Sequence, residues 1–117
     1  MLIRVQNQKN AVRKNPAGGE GELRCLYAIP KGEGTKGSRF TMAGMMELAV
    51  GSSVGLHSHE NDEECYVILS GRGVFEDDDG SRHSVEPGDV MLTMRGQKHA
   101  LLNTGVDPLR FFAVIAG

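Results

Sequence analysis

His57 and His59 are separated by one residue, so on an extended backbone both imidazoles leave the same face and converge on one point. Glu64 follows and opens the run Glu64-Cys65-Tyr66-Val67-Ile68-Leu69, whose β-branched and aromatic content predicts a strand closed by Ser70-Gly71. Two neutral nitrogens and one hard oxygen at the mouth of a strand suit a divalent transition metal that keeps positions open for a ligand. A His-x-His pair alone is weak evidence, because histidine is often only a polar surface residue.

The wider spacing carries more. Five residues separate Gly51 from His57, four separate His59 from Glu64, and six separate Glu64 from Gly71. A second block, Gly88 to Asn103, reads GDVMLTMRGQKHALLN and holds the turn Met94-Arg95-Gly96, then His99, then Asn103. These two blocks resemble the paired signature motifs of the cupin superfamily. The first is on pattern throughout; the second matches at Gly88, Gly96, His99 and Asn103. It departs at Met94, where the family usually has proline, a change that bears on turn rigidity more than on ligation.

The resemblance covers roughly residues 40 to 116 and is closest in kind to small bacterial single-domain cupins, grouped loosely with oxalate-decarboxylase-like proteins. It implies an all-β fold, a double-stranded β-helix or jelly-roll barrel, as a single domain over 1–117. Residues 1–37 are then N-terminal strands and loops, and 38–117 the barrel core with both motifs. The strand pairs carrying the motifs are expected to face each other, so that His99 joins His57, His59 and Glu64 around one divalent transition metal. Mn, Fe, Ni, Zn and Co all accept this set. Glu64 is preferred over Glu63 because it shares a strand face with Tyr66 and fits the family spacing, while Glu60, Asp62 and Glu63 read as a solvated acidic rim.

Three imidazoles and one carboxylate leave such an ion about one net positive charge, which favours a small anionic or bidentate oxygen donor: a dicarboxylate, a keto acid or an enediol. A metal-dependent decarboxylase, dioxygenase or isomerase and a non-catalytic binding or sensing module both remain open, because fold does not choose between them. No general acid or base stands out; Glu33, Arg39, Arg72 and Arg95 are all candidates. Tyr66 is expected to point inward with Glu64, either as a ligand-facing donor or as core. The chain has no Gly-x-Ser-x-Gly elbow, and alternation turns Cys65 away from Glu64, so covalent serine or thiol chemistry has no visible parts.

The elements that must hold these groups are short. Sixteen glycines lie among brief apolar runs, which predicts about eight to ten strands joined by turns. Leu2–Val5 alternates weakly and is expected as an edge strand paired across a homodimer. Residues 13–21 read as a flexible loop whose glycines do not form a phosphate cradle. Leu23–Ile29 reads as a strand and Lys31–Gly37 as a polar turn at the barrel mouth. Met42, Met45 and Met46 are expected in the core rather than in a pocket. Asp77-Asp78-Asp79-Gly80 is a hairpin turn between Val74–Glu76 and Ser81–Glu86, not a calcium loop, with His83 facing solvent. Val90–Thr93, His99–Leu102 and the apolar run Phe111–Ile115 complete the core, and Asn103 is assigned a structural hydrogen bond rather than ligation.

At 117 residues the chain can bury one core. A net charge of −2 with signs mixed along the chain offers no basic face, so neither nucleic acid nor an anionic membrane is an expected partner. No apolar run approaches the ~18 residues of a membrane span, and Met1-Leu2-Ile3-Arg4 lacks a signal-peptide core. A cytoplasmic location is expected, with Cys25 and Cys65 as free thiols.

Overall fold

The computed structural model describes residues 1–117. Ten strands follow one another: β1 Lys9–Lys14, β2 Glu22–Ile29, β3 Phe40–Leu48, β4 Ser53–Ser58, β5 Glu63–Ser70, β6 Gly73–Glu76, β7 Arg82–Val85, β8 Val90–Thr93, β9 Lys98–Asn103 and β10 Leu109–Ala116. A six-stranded sheet in the order β1-β2-β3-β10-β5-β8 packs on a four-stranded sheet, β4-β9-β6-β7, and every pair is antiparallel. Strands β1 and β2 thus extend the same sheet as the motif-bearing strand β5.

Side-chain alternation decides what each strand buries. β10 is apolar over Phe111–Ile115, yet only Phe111, Ala113 and Ile115 enter the core, together with Leu109; Phe112 and Val114 go to the outer face. β3 buries Met42, Met46 and Leu48 and turns Met45 outward. Ile68, Leu101 and Phe75 fill the space between the sheets from β5, β9 and β6.

Leu2–Val5 is not a strand. Val5–Asn7 is a single 3₁₀ turn, and Leu2 and Val5 are exposed. The first strand begins at Lys9 and pairs with β2 of the same chain, from Lys9↔Tyr27 to Lys14↔Glu22. Only Ala11 and Val12 are apolar there, so the ladder to β2 rather than hydrophobic period makes this strand.

The loop after β1 is pinned rather than flexible. Ser52 and Ser53 hydroxyls accept from the Glu22 and Glu20 amides, and the Ser53 amide donates to the Glu20 carbonyl at 2.9 Å. Close backbone approach requires two glycines: a Cβ on Gly19 would lie 2.1 Å from the Ser53 oxygen, and one on Gly55 would lie 2.4 Å from the Ala17 oxygen. The Met94 turn keeps its shape without proline, because the Gln97 side-chain oxygen accepts from the Met94 amide at 2.9 Å while Gly96 takes φ 82°.

Candidate metal centre

His57 and His99 are directly opposite each other on β4 and β9, which lie side by side in the four-stranded sheet. The cluster is therefore assembled from both sheets, with the histidines on the β4–β9 side and Glu64, on β5, from the opposite sheet. The reason is the strand order, which no local pattern reveals. His59 sits just beyond β4 and is held by its backbone, its amide donating to Gln97 O at 2.9 Å and its carbonyl accepting from Gly96.

The four groups converge. His99 Nε2 lies 3.1 Å from His59 Nε2 and 3.2 Å from His57 Nε2, and Glu64 Oε1 lies 3.1 Å from the Nε2 atoms of both His59 and His99. All four ligand atoms fall within 4.8 Å of one another. Each ring is held from behind at Nδ1, 2.7 Å from the Gly55 carbonyl for His57, from Asp62 Oδ1 for His59 and from Thr93 Oγ1 for His99. A carbonyl and a carboxylate can only accept, so His57 and His59 carry their protons on Nδ1 and turn bare Nε2 lone pairs inward. Such outward anchoring is what a metal-ligating histidine requires.

Lone pairs and a carboxylate gathered in a protein interior are costly unless a cation lies among them. Donor atoms bound at about 2.1 Å to one ion stand roughly 3.0 Å apart at neighbouring corners of an octahedron and roughly 3.4 Å apart in a tetrahedron. The observed separations of 3.1–3.2 Å fit a single ion, nearer the octahedral spacing. The donor set is therefore compatible with one divalent metal.

Burial alone would push the Glu64 carboxyl up, but proton donation and positive charge at the His59 and His99 Nε2 positions, the place a bound cation would take, reverse this and hold it down to about 2. The same contact with Glu64 raises His59, whereas burial lowers His57. Glu63, one residue away, is exposed. Burial, and next the Glu64 charge, push the Tyr66 phenol well above 10, and its ring stacks on His99 with centroids 5.0 Å apart.

A cavity of about 200 Å³ adjoins the cluster, walled by Leu23, Met42, Met46, Val54, Phe111 and Ile115. That is smaller than the roughly 300–1,000 Å³ typical for drug-sized ligands and suits a small metabolite. Met42 and Met46 are thus both core and cavity wall, not core alone. Its polar lining beyond the cluster is Arg13, Tyr27, Lys31 and Tyr66.

None of the acid–base candidates Glu33, Arg39, Arg72 and Arg95 lines this cavity. Glu33 pairs with Lys9 at 3.6 Å, Arg72 with Glu86, and Arg95 donates to the Asn61 carbonyl. Sequence reasoning missed Arg13, read as loop, and placed Asp62 in an idle acidic rim, although its carboxylate anchors His59. Thr93 was also missed; the available signal was a polar residue in the inward phase of the Val90–Thr93 strand. Asn103 does what was expected, its amide donating to Leu48 O and Asp107 O at 3.0 Å each, and His83 is exposed beside Ser81. Cys65 points away from Glu64 and is only half-buried; Cys25 is buried, and both are free.

Residues 44–115 match the cupin domain family. The chain belongs to the cupin family. This cupin is 42% identical to a Thermotoga maritima protein named oxalate-binding protein, over 98% of this chain and 93% of the relative. It superposes with TM-score 0.85 on a Thermotoga maritima crystal structure described as a predicted oxalate decarboxylase, at 36% identity, covering 99% of this chain and 98% of that one. At fold level it is also similar to the polyketide cyclase RemF of Streptomyces resistomycificus, with TM-score 0.74 and 22% identity, covering 99% of this chain and 78% of that chain. These likenesses establish the double-stranded β-helix. No helix is long and apolar enough to cross a membrane.

Proposed function

We propose that this cupin is a single-domain cytoplasmic protein that holds one divalent transition metal, of the set Mn, Fe, Co, Ni and Zn, on His57, His59, Glu64 and His99, and binds a small carboxylate such as oxalate over it. The observation that carries the reading is the gathering of three back-anchored imidazoles and the Glu64 carboxylate, their ligand atoms all within 4.8 Å of one another, beside a small cavity. The metal, when bound, supplies a Lewis-acidic centre for carboxylate oxygens. Around it the chain contributes apolar walls that exclude water and the cations Arg13 and Lys31, which favour an anion. The name of the Thermotoga relative agrees with an oxalate-like ligand.

Binding is favoured over catalysis by one feature. Apart from the four cluster groups, the titratable cavity residues are Arg13, Lys31, Tyr27 and Tyr66, and burial holds both phenols high, Tyr27 at about 12. Neither phenol is poised to exchange a proton near neutral pH. The test is to prepare apo-protein, reload it with Mn(II), Ni(II) or Zn(II), and titrate oxalate by calorimetry and thermal melting. Oxalate should stabilise only metal-loaded protein, by about 2.7 kcal/mol at a hundred times Kd. Equal stabilisation of the apo form would sink the proposal; release of formate or CO₂ from oxalate would convert the binding module into an enzyme.

We further propose a homodimer, formed by the outer face of the six-stranded sheet rather than by the N-terminal segment. Leu26, Met45, Phe112, Val67 and Val90 line up in one registered row across β2-β3-β10-β5-β8, with Ala43, Val114, Cys65 and Leu92 in the next. Five strands span roughly 20–25 Å, and Val90 and Leu92 on this face are exposed. A sheet face is best covered by another sheet face, and a second copy always supplies one. Light scattering at tens of micromolar should give a dimer, retained on deletion of residues 1–7 and dissociated by Phe112→Glu. A wild-type monomer rules the dimer out.

A further inference from the structure

β1 is inverted relative to an ordinary half-buried strand: Val12 points outward and is exposed, while Arg13 lines the cavity that adjoins the histidine cluster. Its register partner on β2 is Leu23, a fully buried part of the same cavity wall. Lys9 and Lys14, on the same strand, have carboxylate partners in Glu33 and Glu22, but no carboxylate lies within ion-pair distance of Arg13. An inward charge can protect an edge strand from pairing with another chain. That explanation does not account for its company: Tyr27, Tyr66 and Lys31 line the same cavity as Arg13. A guanidinium without a counter-ion, facing a cavity with phenol donors beside it, is built to receive an anion.

We propose that Arg13, assisted by Tyr27 and Lys31, is a second anion-recognition point in this cavity and makes the site selective for small dicarboxylates over monocarboxylates. The inference rests on the reading of the histidine cluster as a carboxylate-binding metal centre. A dicarboxylate can place oxygens on that centre and still offer a further pair of oxygens to the two parallel N–H donors of the guanidinium. A monocarboxylate satisfies only one of the two points and leaves Arg13 unpaired. The cavity, about 200 Å³, suits a small dicarboxylate such as oxalate or malonate.

The experiment compares Mn(II)-loaded wild type, Arg13→Met and Arg13→Lys by calorimetric titration with oxalate, malonate and acetate, with metal content measured for each protein. Arg13→Met keeps an apolar stem against the wall and should fold. It should weaken oxalate and malonate roughly ten- to a hundred-fold while changing acetate less than about twofold and leaving metal content intact. Arg13→Lys should fall between, because it keeps the charge and loses the fork. Oxalate and malonate affinities in Arg13→Met within twofold of wild type overturn this inference alone. So does a parallel loss of acetate, which would make Arg13 a general attractor of anions. Wild-type protein that takes up Mn(II) but binds none of the three carboxylates overturns the carboxylate-binding reading of the centre and the inference with it.

Discussion

Glu64→Ala should strip the metal from the protein and lower its melting temperature, while Glu63→Ala should leave both nearly unchanged. The two residues are adjacent in sequence and opposite in placement: Glu64 is buried with an oxygen 3.1 Å from two imidazole nitrogens, and Glu63 is exposed on the other strand face. Removing Glu64 takes away the only anionic donor of the cluster, so the three remaining imidazoles must hold a dication without charge compensation. Affinity should fall by more than the ten- to hundred-fold typical of losing a residue behind the ligands. Wild type with metal at a thousand times Kd gains about 4 kcal/mol that the variant lacks. Melting both proteins with and without EDTA separates this from packing, since the difference due to metal disappears in chelator. If Glu63→Ala strips the metal and Glu64→Ala keeps it, the assignment is wrong by one residue.

Gly55→Ala should lower stability by about 3 kcal/mol or more and should weaken metal binding as well. A Cβ there would meet the Ala17 oxygen at 2.4 Å and the Gly19 nitrogen at 2.7 Å, both backbone atoms that cannot swing aside. The Gly55 carbonyl is also the acceptor that orients His57 through Nδ1. Displacing β4 from the 15–21 loop therefore tilts the imidazole it presents, and one substitution reaches both packing and site. Gly80→Ala is the control, since a Cβ there meets nothing within 4 Å and only the positive φ of 83° is strained. It should cost about 1–2 kcal/mol and leave metal affinity unchanged. A Gly55→Ala protein that melts with wild type and binds metal equally would show that the loop does not constrain β4.

Glu64 and Tyr66, and likewise His57 and His59, fall on common faces that residue order alone assigns, because a strand repeats every two residues and nearest neighbours along the chain obey that period. The Asp77–Gly80 hairpin and the Pro87–Asp89 turn are legible for a similar reason: glycine, proline and aspartate act on their own backbone. Where local pattern is poor, the sequence misleads. β1 carries almost no hydrophobic alternation, so its existence, and the inward phase of Arg13, follow from a ladder to β2 that the segment does not advertise. Leu2–Val5 has the alternation without the partner and forms no strand.

The sequence by itself determined a strand-rich chain, the shared face of His57 and His59 and the strand face that Glu64 takes, because these depend on residue type and a period of two; the barrel and the addition of His99 to the set came from the resemblance of its two motif blocks to those of cupins. Tertiary structure alone decided that β4 and β9 lie side by side, that Asp62 and Thr93 stand behind His59 and His99, and that Arg13 and Lys31, not Arg39, Arg72 or Arg95, reach the cavity. Those are relations between residues far apart along the chain, set by which strands pair and how two sheets close on each other, and a one-dimensional pattern has no term for them.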